Sequence, residues 1–313
     1  MPRKAAPAGA GPESGEPMIT VVGHTAIDHI SRVTALPGPN GSTSVTERRI
    51  FFGGGAANIA AGIARLGGEA ELLSAVGGDF DDSPYDRWLD SLGVSKRFYR
   101  VAEANTATAF MFTDGAGDQM TFFEWGASVA FSREDPPALD FVHMATADPR
   151  FNRLVAERAH FASFDPGQDL HRYSADDLDA ILDHVDILFA NHHEVAGMCR
   201  TLGVSRADLI ARVPVAVFTE GAAGSCLAAG GTEVRVPALP VRMADPTGAG
   251  DAYRAGFLTA HRRGYPLEDC ARIGTVTASF AVEAAGCQTS LPDWEAMRDR
   301  YVRHFGTLIP PPA

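Results

Sequence analysis

The sequence predicts an α/β protein whose body is a mostly parallel β-sheet and whose N-terminal half carries a small β lid. Past Pro137, short apolar runs alternate with helical segments of similar length, which is typical of βαβ units. In the N-terminal half, two segments instead alternate apolar and polar residues, as half-exposed antiparallel strands do. The chain has 313 residues, of which 45% are hydrophobic and 21% charged, so it can bury a large core.

Charge argues against two classes of partner. The formal net charge is −12, and Lys4 and Lys96 are the only lysines. A nucleic acid or an anionic membrane surface needs clustered basic residues, so we expect neither as a partner. No run of 18 apolar residues occurs, which excludes a membrane-spanning helix.

The N-terminus and the cysteines bear on localisation. Residues 1–17 lack the apolar segment of a secretion signal, and we expect a disordered tail there. The four cysteines have no C-x-x-C spacing, which disfavours a disulfide framework and a zinc ribbon. A cytoplasmic location fits this cysteine usage best.

The first part of the chain predicts a strand, an antiparallel strand pair and a helix, in that order. Residues 19–22 form an apolar run typical of a buried parallel strand. Residues 29–52 alternate around a turn at residues 36–41, which predicts an antiparallel pair. Residues 56–66 are rich in alanine, as in a closely packed helix, and Gly67 and Gly68 end it.

A second hairpin is predicted at residues 106–125, where two alternating runs flank the turn at residues 114–118. We therefore assign residues 29–52 and 104–126 to the lid. This hairpin is rich in aromatic side chains. They suit stacking on a nucleobase, a homodimer formed through the lid, or a hydrophobic core, and the sequence leaves these uses open. The aromatic residues are Phe110, Phe112, Phe122, Phe123 and Trp125.

The C-terminal half supplies the rest of the parallel sheet. We expect one domain over residues 18–305, followed by a C-terminal tail at 306–313. The predicted strands and helices of this half are FVHMA, a helix at 152–160, HFASFDPG, a helix at 175–184, DILFAN and VAVFTEG.

Two common phosphate-binding loops are absent from the sequence. A P-loop needs a lysine after its second glycine, and neither lysine occupies such a position. The dinucleotide fingerprint G-x-G-x-x-G also fails, because Gly23 is followed by His24, Thr25 and Ala26. A dinucleotide-dependent oxidoreductase is therefore disfavoured, although it would share the α/β composition.

The most informative loop is residues 244–251, which lies between the β-like residues 234–243 and a predicted helix. Gly248 and Gly250 permit a tight turn and leave the first amides of the helix open to an anion. Asp251 lies in the same first turn. Beside a phosphate, its carboxylate suits a base that takes a proton from an attacking hydroxyl, but a helix cap is equally compatible with the sequence. A second Gly-Ala-Gly-Asp at 115–118 lies in the lid hairpin, and we predict an ordinary turn there.

These residues carry a family resemblance. Residues 245–251, Asp-Pro-Thr-Gly-Ala-Gly-Asp, resemble the C-terminal signature of the ribokinase-like, or phosphofructokinase B (PfkB) type, sugar and nucleoside kinases. Residues 53–58, Gly-Gly-Gly-Ala-Ala-Asn, are similar to the N-terminal signature. The resemblance covers about residues 18–305 and implies a ribokinase-like three-layer α/β/α body.

The resemblance implies roles on the acceptor side. Asp28 would accept hydrogen bonds from substrate hydroxyls, although a turn residue at a strand end is the alternative. Gly53, Gly54 and Asn58 would form a loop against the substrate. Asp251 would be the general base, and the amides of Gly248, Ala249 and Gly250 would form an anion hole.

On the nucleotide side, the resemblance implies that Asn191 and Glu194 organise ATP phosphates and Mg²⁺, with Glu194 acting through water. Asn191 as a helix cap remains the alternative, and zinc at His192 and His193 is disfavoured because no H-E-x-x-H occurs. Asp245 and Ser290 would take part in a monovalent-cation site for K⁺, although Pro246 and Ala284 depart from the commoner pattern. The implied nucleotide contacts are Asn191, Thr219, Gly221, Gly224 and Thr247.

The predicted activity is therefore transfer of the γ-phosphoryl group of ATP to a hydroxymethyl group. The acceptor stays open between a nucleoside, a pentose, a hexose and a sugar phosphate, with a nucleoside favoured, and ADP remains an alternative donor. A non-catalytic sugar or nucleotide sensor on the same fold is the alternative function. The presence of Asp251 argues against it.

Overall fold

A computed structural model describes residues 18–311 and contains a nine-stranded and a four-stranded sheet with helices. The strands are β1 (Ile19–Val22), β2 (Ala26–Val33), β3 (Val45–Gly53), β4 (Ala70–Gly77), β5 (Ser95–Val101), β6 (Ala107–Thr113), β7 (Gln119–Glu124), β8 (Phe141–Met144), β9 (Phe161–Phe164), β10 (Ile187–Asn191), β11 (Val215–Thr219), β12 (Ser225–Ala229) and β13 (Thr232–Val236). The α-helices are α1 (Gly55–Arg65), α2 (Pro84–Ser91), α3 (Pro149–Arg158), α4 (Ala175–Leu182), α5 (His192–Leu202), α6 (Arg206–Ala211), α7 (Ala249–Arg262), α8 (Leu267–Ala281) and α9 (Trp294–Phe305).

The large sheet has the order β13-β12-β11-β10-β9-β8-β1-β4-β5. All neighbouring pairs from β11 to β5 in this order are parallel, whereas β12 pairs antiparallel with both β11 and β13. The carboxyl ends of β1, β8, β9, β10 and β11 therefore meet at one edge. In open parallel sheets, ligands bind at this edge.

Helices cover both faces of this sheet because successive strand residues point to opposite sides. Ile187 and Phe189 of β10 pack in the core cluster that contains α1, α2, α7, α8 and α9. Leu188 and Ala190 pack in the second cluster, with α3, α4 and α5. The predicted three-layer α/β/α body with a mostly parallel sheet is confirmed.

The lid is the four-stranded sheet, in the order β3-β2-β6-β7. β2 pairs antiparallel with β3 and parallel with β6, and β6 and β7 form the second predicted hairpin. The second Gly-Ala-Gly-Asp lies in the turn of this hairpin. There the carboxylate of Asp114 accepts hydrogen bonds from the amides of Ala116 and Asp118. The copy at 115–118 is therefore a turn, as predicted.

Several boundaries differ from the prediction. The first lid strand begins at Ala26 rather than near residue 29. The β-like segment 234–243 is a strand only as far as Val236, because Pro237 and Pro240 have no amide to donate to a ladder. The helix predicted at 152–160 spans residues 149–158, with Asp148 capping its amino end.

The two ends of the chain were predicted to be tails. Residues 1–17, where we expected a disordered tail, lie outside the described residues, as do 312 and 313. Residues 306–311 have no regular secondary structure, but Leu308 is buried in the core. Within residues 18–311, the helices are too short or too polar to span a bilayer.

Candidate active site

A cavity of about 800 Å³ opens between the carboxyl edge of the large sheet and the lid. Three predicted site residues do not line it, namely Gly53, Asp245 and Ser290. The predicted residues that do line it are Asp28, Gly54, Asn58, Asn191, Glu194, Thr219, Gly221, Gly224, Thr247, Gly248, Ala249, Gly250 and Asp251.

Asp28 projects from lid strand β2 into this cavity and is 7% exposed. Its carboxylate lies against the backbone of Gly53, where a Cβ atom would come within 2.1 Å of Oδ2. Any larger residue at position 53 would therefore displace the carboxylate. Burial, together with the charges of Asp251 and Asp245, raises the pKa of Asp28 to about 7. The strand position excludes the alternative of a turn residue.

Asp251 lies in the first turn of α7, which follows Gly248 in the left-handed conformation (φ 80°). Within residues 18–311, no backbone amide of this helix donates a hydrogen bond to its carboxylate. Instead, Asp251 Oδ2 accepts a hydrogen bond of 2.9 Å from Asn58 Nδ2, and Oδ1 lies 3.6 Å from a nitrogen of Arg254. The cap alternative therefore has no support in the geometry. Asn58, predicted as a substrate contact, holds Asp251 as well as lining the cavity.

Asp251 carries a shifted pKa. Burial raises the pKa of this carboxyl to about 6, while Arg254 and the hydrogen bond from Asn58 both oppose the shift. A carboxylate with a pKa near 6 is ionised at neutral pH and is also basic enough to take a proton in the transition state.

The amides at the start of α7 are only partly open. The amide of Ala249 donates to Pro246 O at 3.3 Å, whereas the amide of Ala252 begins the regular helical ladder on Gly248 O. The amides of Gly250 and Asp251 lie between these two positions. They are the ones that an anion at this helix terminus would contact most directly, together with the positive end of the helix dipole.

Arg254 is a site residue that the sequence analysis missed. It lines the cavity, is 6% exposed, and lies 2.7 Å from Asp165 and 4.0 Å from Glu194. Burial alone would lower the pKa of Arg254, but Asp165, Glu194 and Asp251 raise it, so the guanidinium stays charged. The signal was available, because Arg254 follows Asp251 by three residues in a predicted helix and so shares its face.

Asn191 and Glu194 form a capping box at the start of α5. The side-chain oxygen of Asn191 accepts from the amides of His193 and Glu194. The Glu194 carboxylate accepts from the Asn191 backbone amide and from Nδ2, each at 2.7 Å. Asn191 is therefore a helix cap, the alternative left open by the sequence, and both residues also line the cavity.

The histidines that follow Asn191 are exposed, with their rings 3.8 Å apart. Over residues 18–311, the side chains form no group of three or more His, Cys, Asp or Glu able to hold a metal. A magnesium ion bound largely through water and phosphate oxygens does not need such a group.

The far side of the cavity is a hairpin and a helix face. Thr219 ends β11, and Gly221 and Gly224 belong to the tight connection to β12, where the amide of Glu220 donates to Gly224 O at 2.7 Å. Helix α8 adds Ala278 to the cavity wall. This region combines exposed backbone with an apolar surface.

Asp245 and Ser290, the predicted cation ligands, lie close to α8 but are engaged locally. The Asp245 carboxylate accepts from the amide of Thr247 at 2.9 Å. The Ser290 hydroxyl donates to Phe280 O at 2.7 Å. The amides of Ala244 and Asp245 both donate to Val282 O, which holds the signature loop against the end of α8.

The aromatic residues of the lid divide between its two faces. Phe123 points into the cavity, together with Met111, Gln119 and Thr121. Phe110 and Phe122 lie opposite each other on β6 and β7, and Phe122 is 55% exposed.

His24, a second residue that the sequence analysis missed, joins the lid to the body. Its ring lies 4.6 Å from Trp125 and 5.1 Å from Phe123. Its two nitrogens bond Ser128 at 2.9 Å and Asp169 at 3.0 Å. Its position just after β1 was a signal, because polar residues there reach the ligand edge.

Comparison with known proteins identifies relatives over most of the chain. A family model for pfkB family carbohydrate kinases matches residues 16–294. A nucleoside kinase of Methanocaldococcus jannaschii is 44% identical over 91% of this chain and 97% of its own length. A nucleoside kinase of Methanothermobacter thermautotrophicus is 42% identical over 92% and 96%, respectively.

Solved structures give the same result. The crystal structure of the M. jannaschii nucleoside kinase has a TM-score of 0.88 and covers 93% of this chain and 100% of that one. Structures of a Burkholderia thailandensis nucleoside kinase in complex with inosine and with ADP-inosine have TM-scores of 0.83 and 0.80. These two are 26% and 25% identical and cover 92% and 93% of this chain, and 97% of theirs.

Proposed function

This chain belongs to the pfkB family of carbohydrate kinases, and we propose that it transfers the γ-phosphoryl group of ATP to a hydroxymethyl group of a nucleoside. The observation that carries the proposal is the placement of Asp251. Its carboxylate is half-buried at the amino end of α7, accepts a hydrogen bond from Asn58, and faces a cavity that reaches from the lid to the β11–β12 hairpin.

In this mechanism Asp251 takes the proton of the attacking hydroxyl as the oxygen–phosphorus bond forms. The amides of Gly248 and Gly250, with the positive end of the α7 dipole, would stabilise negative charge on the transferred phosphoryl oxygens. The amide of Ala249, the third predicted donor, donates to Pro246 O in the ligand-free structure and would have to exchange that bond for one to phosphate. Asp28 would accept hydrogen bonds from the hydroxyls of the acceptor, which would orient it beneath the lid.

Mg²⁺ would supply charge neutralisation between the phosphates when bound. The oxygen ligands near the helix α5 terminus fit this ion. Both Glu194 oxygens already accept hydrogen bonds from Asn191, so Glu194 suits contact through water better than direct ligation. Thr219, Gly221, Gly224 and Thr247 would contact the nucleotide.

A nucleoside is the acceptor class that the lid favours. Met111 and Phe123 offer apolar contacts to a planar base, and Gln119 and Thr121 offer hydrogen-bonding groups for its edge. The similarity to two archaeal nucleoside kinases and to a kinase bound to inosine supports the same class.

The experiment that tests the proposal is D251N, assayed with ATP, Mg²⁺ and a panel of nucleosides, pentoses, hexoses and sugar phosphates. Asn is nearly isosteric and cannot accept the proton, so we expect turnover to fall by about 10²–10⁴. ATP and acceptor affinities should stay within a few-fold, and the melting temperature serves as the folding control. Near wild-type turnover in D251N would overturn the general-base role. Binding without transfer by the wild type would favour a sensor.

The same panel separates two finer questions. Replacing ATP with ADP as donor tests the choice of nucleotide. Comparing K⁺ with Na⁺ tests the proposed monovalent-cation site at Asp245 and Ser290, where we expect a higher rate in K⁺. Equal rates in the two salts would remove that site from the proposal.

We also propose that the outer lid face forms a homodimer. Ile50 and Phe122 are each 55% exposed on this face and Met120 is 39% exposed. Ile50 on β3 and Phe122 on β7 lie in one cross-strand row, joined through His29 of β2 and Phe110 of β6. Sedimentation of the wild type and of F122S would test it, with a monomer expected only for the variant.

A further inference from the structure

A line of three hydrogen bonds ends on the carboxylate of Asp251. Trp88 Nε1 donates to Gln288 Oε1 at 2.9 Å, and Gln288 Nε2 donates to Asn58 Oδ1 at 2.9 Å. Asn58 Nδ2 then donates to Asp251 Oδ2 at 2.9 Å. Gln288 is 7% exposed and Asn58 is 5% exposed, so the bond between them is buried, whereas the bonds to Trp88 and to Asp251 are partly buried. We call these three residues, Trp88, Gln288 and Asn58, the amide relay.

The polarity of this relay is fixed from both ends. An indole N–H can only donate, so the oxygen of Gln288 must face Trp88 and its amino group must face Asn58. An ionised carboxylate can only accept, so the amino group of Asn58 must face Asp251. Both ends require the same orientation of the two amides. The donor and acceptor groups of both amides are therefore assigned in only one way. Successive hydrogen bonds in such a chain polarise one another.

We propose that the amide relay positions the catalytic base, engaging Oδ2 of Asp251 and leaving Oδ1 as the oxygen that accepts the proton. This inference rests on the proposed function. Trp88 and Gln288 do not line the cavity, so they act through Asn58 and are positioning residues. Asp251 Oδ1 is free of the relay and lies 3.6 Å from Arg254.

The relay also connects parts of the chain that are distant in sequence. Trp88 belongs to α2, Asn58 to α1 and Gln288 to the segment after α8. A side branch runs from Gln288 Nε2 to the Tyr85 hydroxyl at 2.7 Å, and Tyr85 donates to Gly53 O at 2.8 Å. The branch reaches the glycine loop beneath Asp28 without touching Asp251. It therefore provides a matched control.

The variant that breaks the relay without adding charge is Q288M, because methionine has a similar shape and lacks the amide donors. We expect kcat to fall about five- to ten-fold with little change in KM for ATP or for inosine, the acceptor used as probe. The acid limb of the kcat/KM profile should move to higher pH, because Asp251 loses part of a bond that favours its ionised form. W88F should shift the profile in the same direction by less.

Charged groups around Asp251 stay in place in both variants, so they do not account for such a shift. They approach from β2, the end of β9, helices α5 and α7 and the signature loop, and are Asp28, Asp165, Glu194, Arg254 and Asp245. Cys287 also approaches the same carboxylates.

The matched control is Y85F, which removes a buried hydroxyl from the same network but leaves the three-bond line intact. We expect a loss of melting temperature comparable to that of Q288M, with the pH midpoint unmoved. A shift in Y85F equal to that in Q288M would mean general loosening and would overturn the proposal.

A double variant separates this proposal from the proposed function. If the relay acts only through the base, Q288M should cause no further loss of turnover when D251N is already present. An equal loss with and without D251N would overturn the relay. Full activity of Q288M and W88F, with D251N inactive, would overturn the relay and leave the general base standing. Near wild-type turnover in D251N would instead overturn the general-base role on which the relay rests.

Discussion

At the scale of single residues, Arg254 determines how the acidic groups of the site coexist. Asp165, Glu194 and Asp251 all lie within 4.0 Å of its guanidinium. Burial raises the pKa of Asp165 to about 7, and Arg254 opposes that rise as it does for Asp251. Without this cation, the buried carboxylates would repel one another and retain protons at neutral pH.

We therefore predict that R254Q moves the acid limb of the kcat/KM profile above its wild-type position near pH 6. The neutral side chain no longer favours the ionised form of Asp251, so a higher pH is needed to deprotonate the base. R254K keeps the charge and should restore most of the wild-type midpoint. The measurement is a pH–rate profile for the three proteins.

Folding is the confounding factor for this test, since removing one partner of a buried ion pair costs roughly 3–5 kcal/mol. The double variant D165N with R254Q removes both partners of the shortest ion pair, so the Asp165 carboxylate is not left buried without its cation. Because the charge of Asp165 itself raises the pKa of Asp251, the double variant is compared with D165N alone. Equal midpoints in these two proteins would show that Arg254 does not control the ionisation of the base.

Glu194 is the second residue with a separable role. We predict that E194Q raises the Mg²⁺ concentration needed for half-maximal activity several-fold and leaves acceptor affinity unchanged. Gln can still accept a hydrogen bond from the Asn191 amide, so the capping box should survive. The measurement is a magnesium titration at saturating ATP. Wild-type magnesium dependence would show that Glu194 is a helix cap only.

At the scale of elements, the tetrapeptide Gly-Ala-Gly-Asp occurs twice and adopts a different structure at each position. Gly248–Asp251 begin a 14-residue helix, whereas Gly115–Asp118 lie in a hairpin turn held by Asp114. The flanking periodicity separates the two, because alternation predicts strands and an Ala/Gly-rich segment predicts a helix. Sequence context therefore locates the site where the tetrapeptide alone does not.

From this difference we predict that D118N is neutral. The Asp118 side chain is exposed, and the turn depends on its backbone amide rather than on its carboxylate. Stability should stay within about 0.5 kcal/mol and turnover within two-fold of wild type. If a folded D118N lost turnover by two orders of magnitude, the assignment of catalysis to residues 248–251 would be wrong.

Elements with strong local patterns could be predicted, and those defined by tertiary packing could not. The strands β1, β10 and β11 and the helix α7 could be predicted, because apolar runs and the glycines that bound them mark these elements in the sequence. Strand β5 has the sequence SKRFYRV, and its basic residues obscure the apolar pattern expected of a strand. It forms by pairing with β4 at the edge of the sheet. The partnership of Trp88 with Gln288 spans 200 residues and has no local signal.

At the scale of the whole molecule, the site costs stability. Asp28 and Asp165 are buried and Asp251 is half-buried, and all three have a raised pKa, so the folded protein holds protons that the unfolded chain releases. Within the described part of the chain, the Asp28 side chain has no hydrogen-bond partner to offset its burial. A cavity that gathers carboxylates for catalysis is therefore a destabilising feature of the ligand-free fold.

The final prediction follows from the sign of this linkage. The pKa of Asp28 rises from 3.8 unfolded to about 7 folded, so between these values the folded state binds more protons and its stability falls as pH rises. A shift of this size corresponds to about 4 kcal/mol, lost progressively from pH 4 to pH 7 and constant above. D28N removes the charge, so its melting temperature should exceed that of the wild type by more at pH 8 than at pH 5. Acceptor affinity should fall in the same variant, because an amide accepts hydroxyl hydrogen bonds less strongly than a carboxylate. Thermal denaturation at both pH values, with the acceptor KM measured alongside, checks both effects. A stability difference that is equal at the two pH values would mean that Asp28 is ionised in the folded protein without cost.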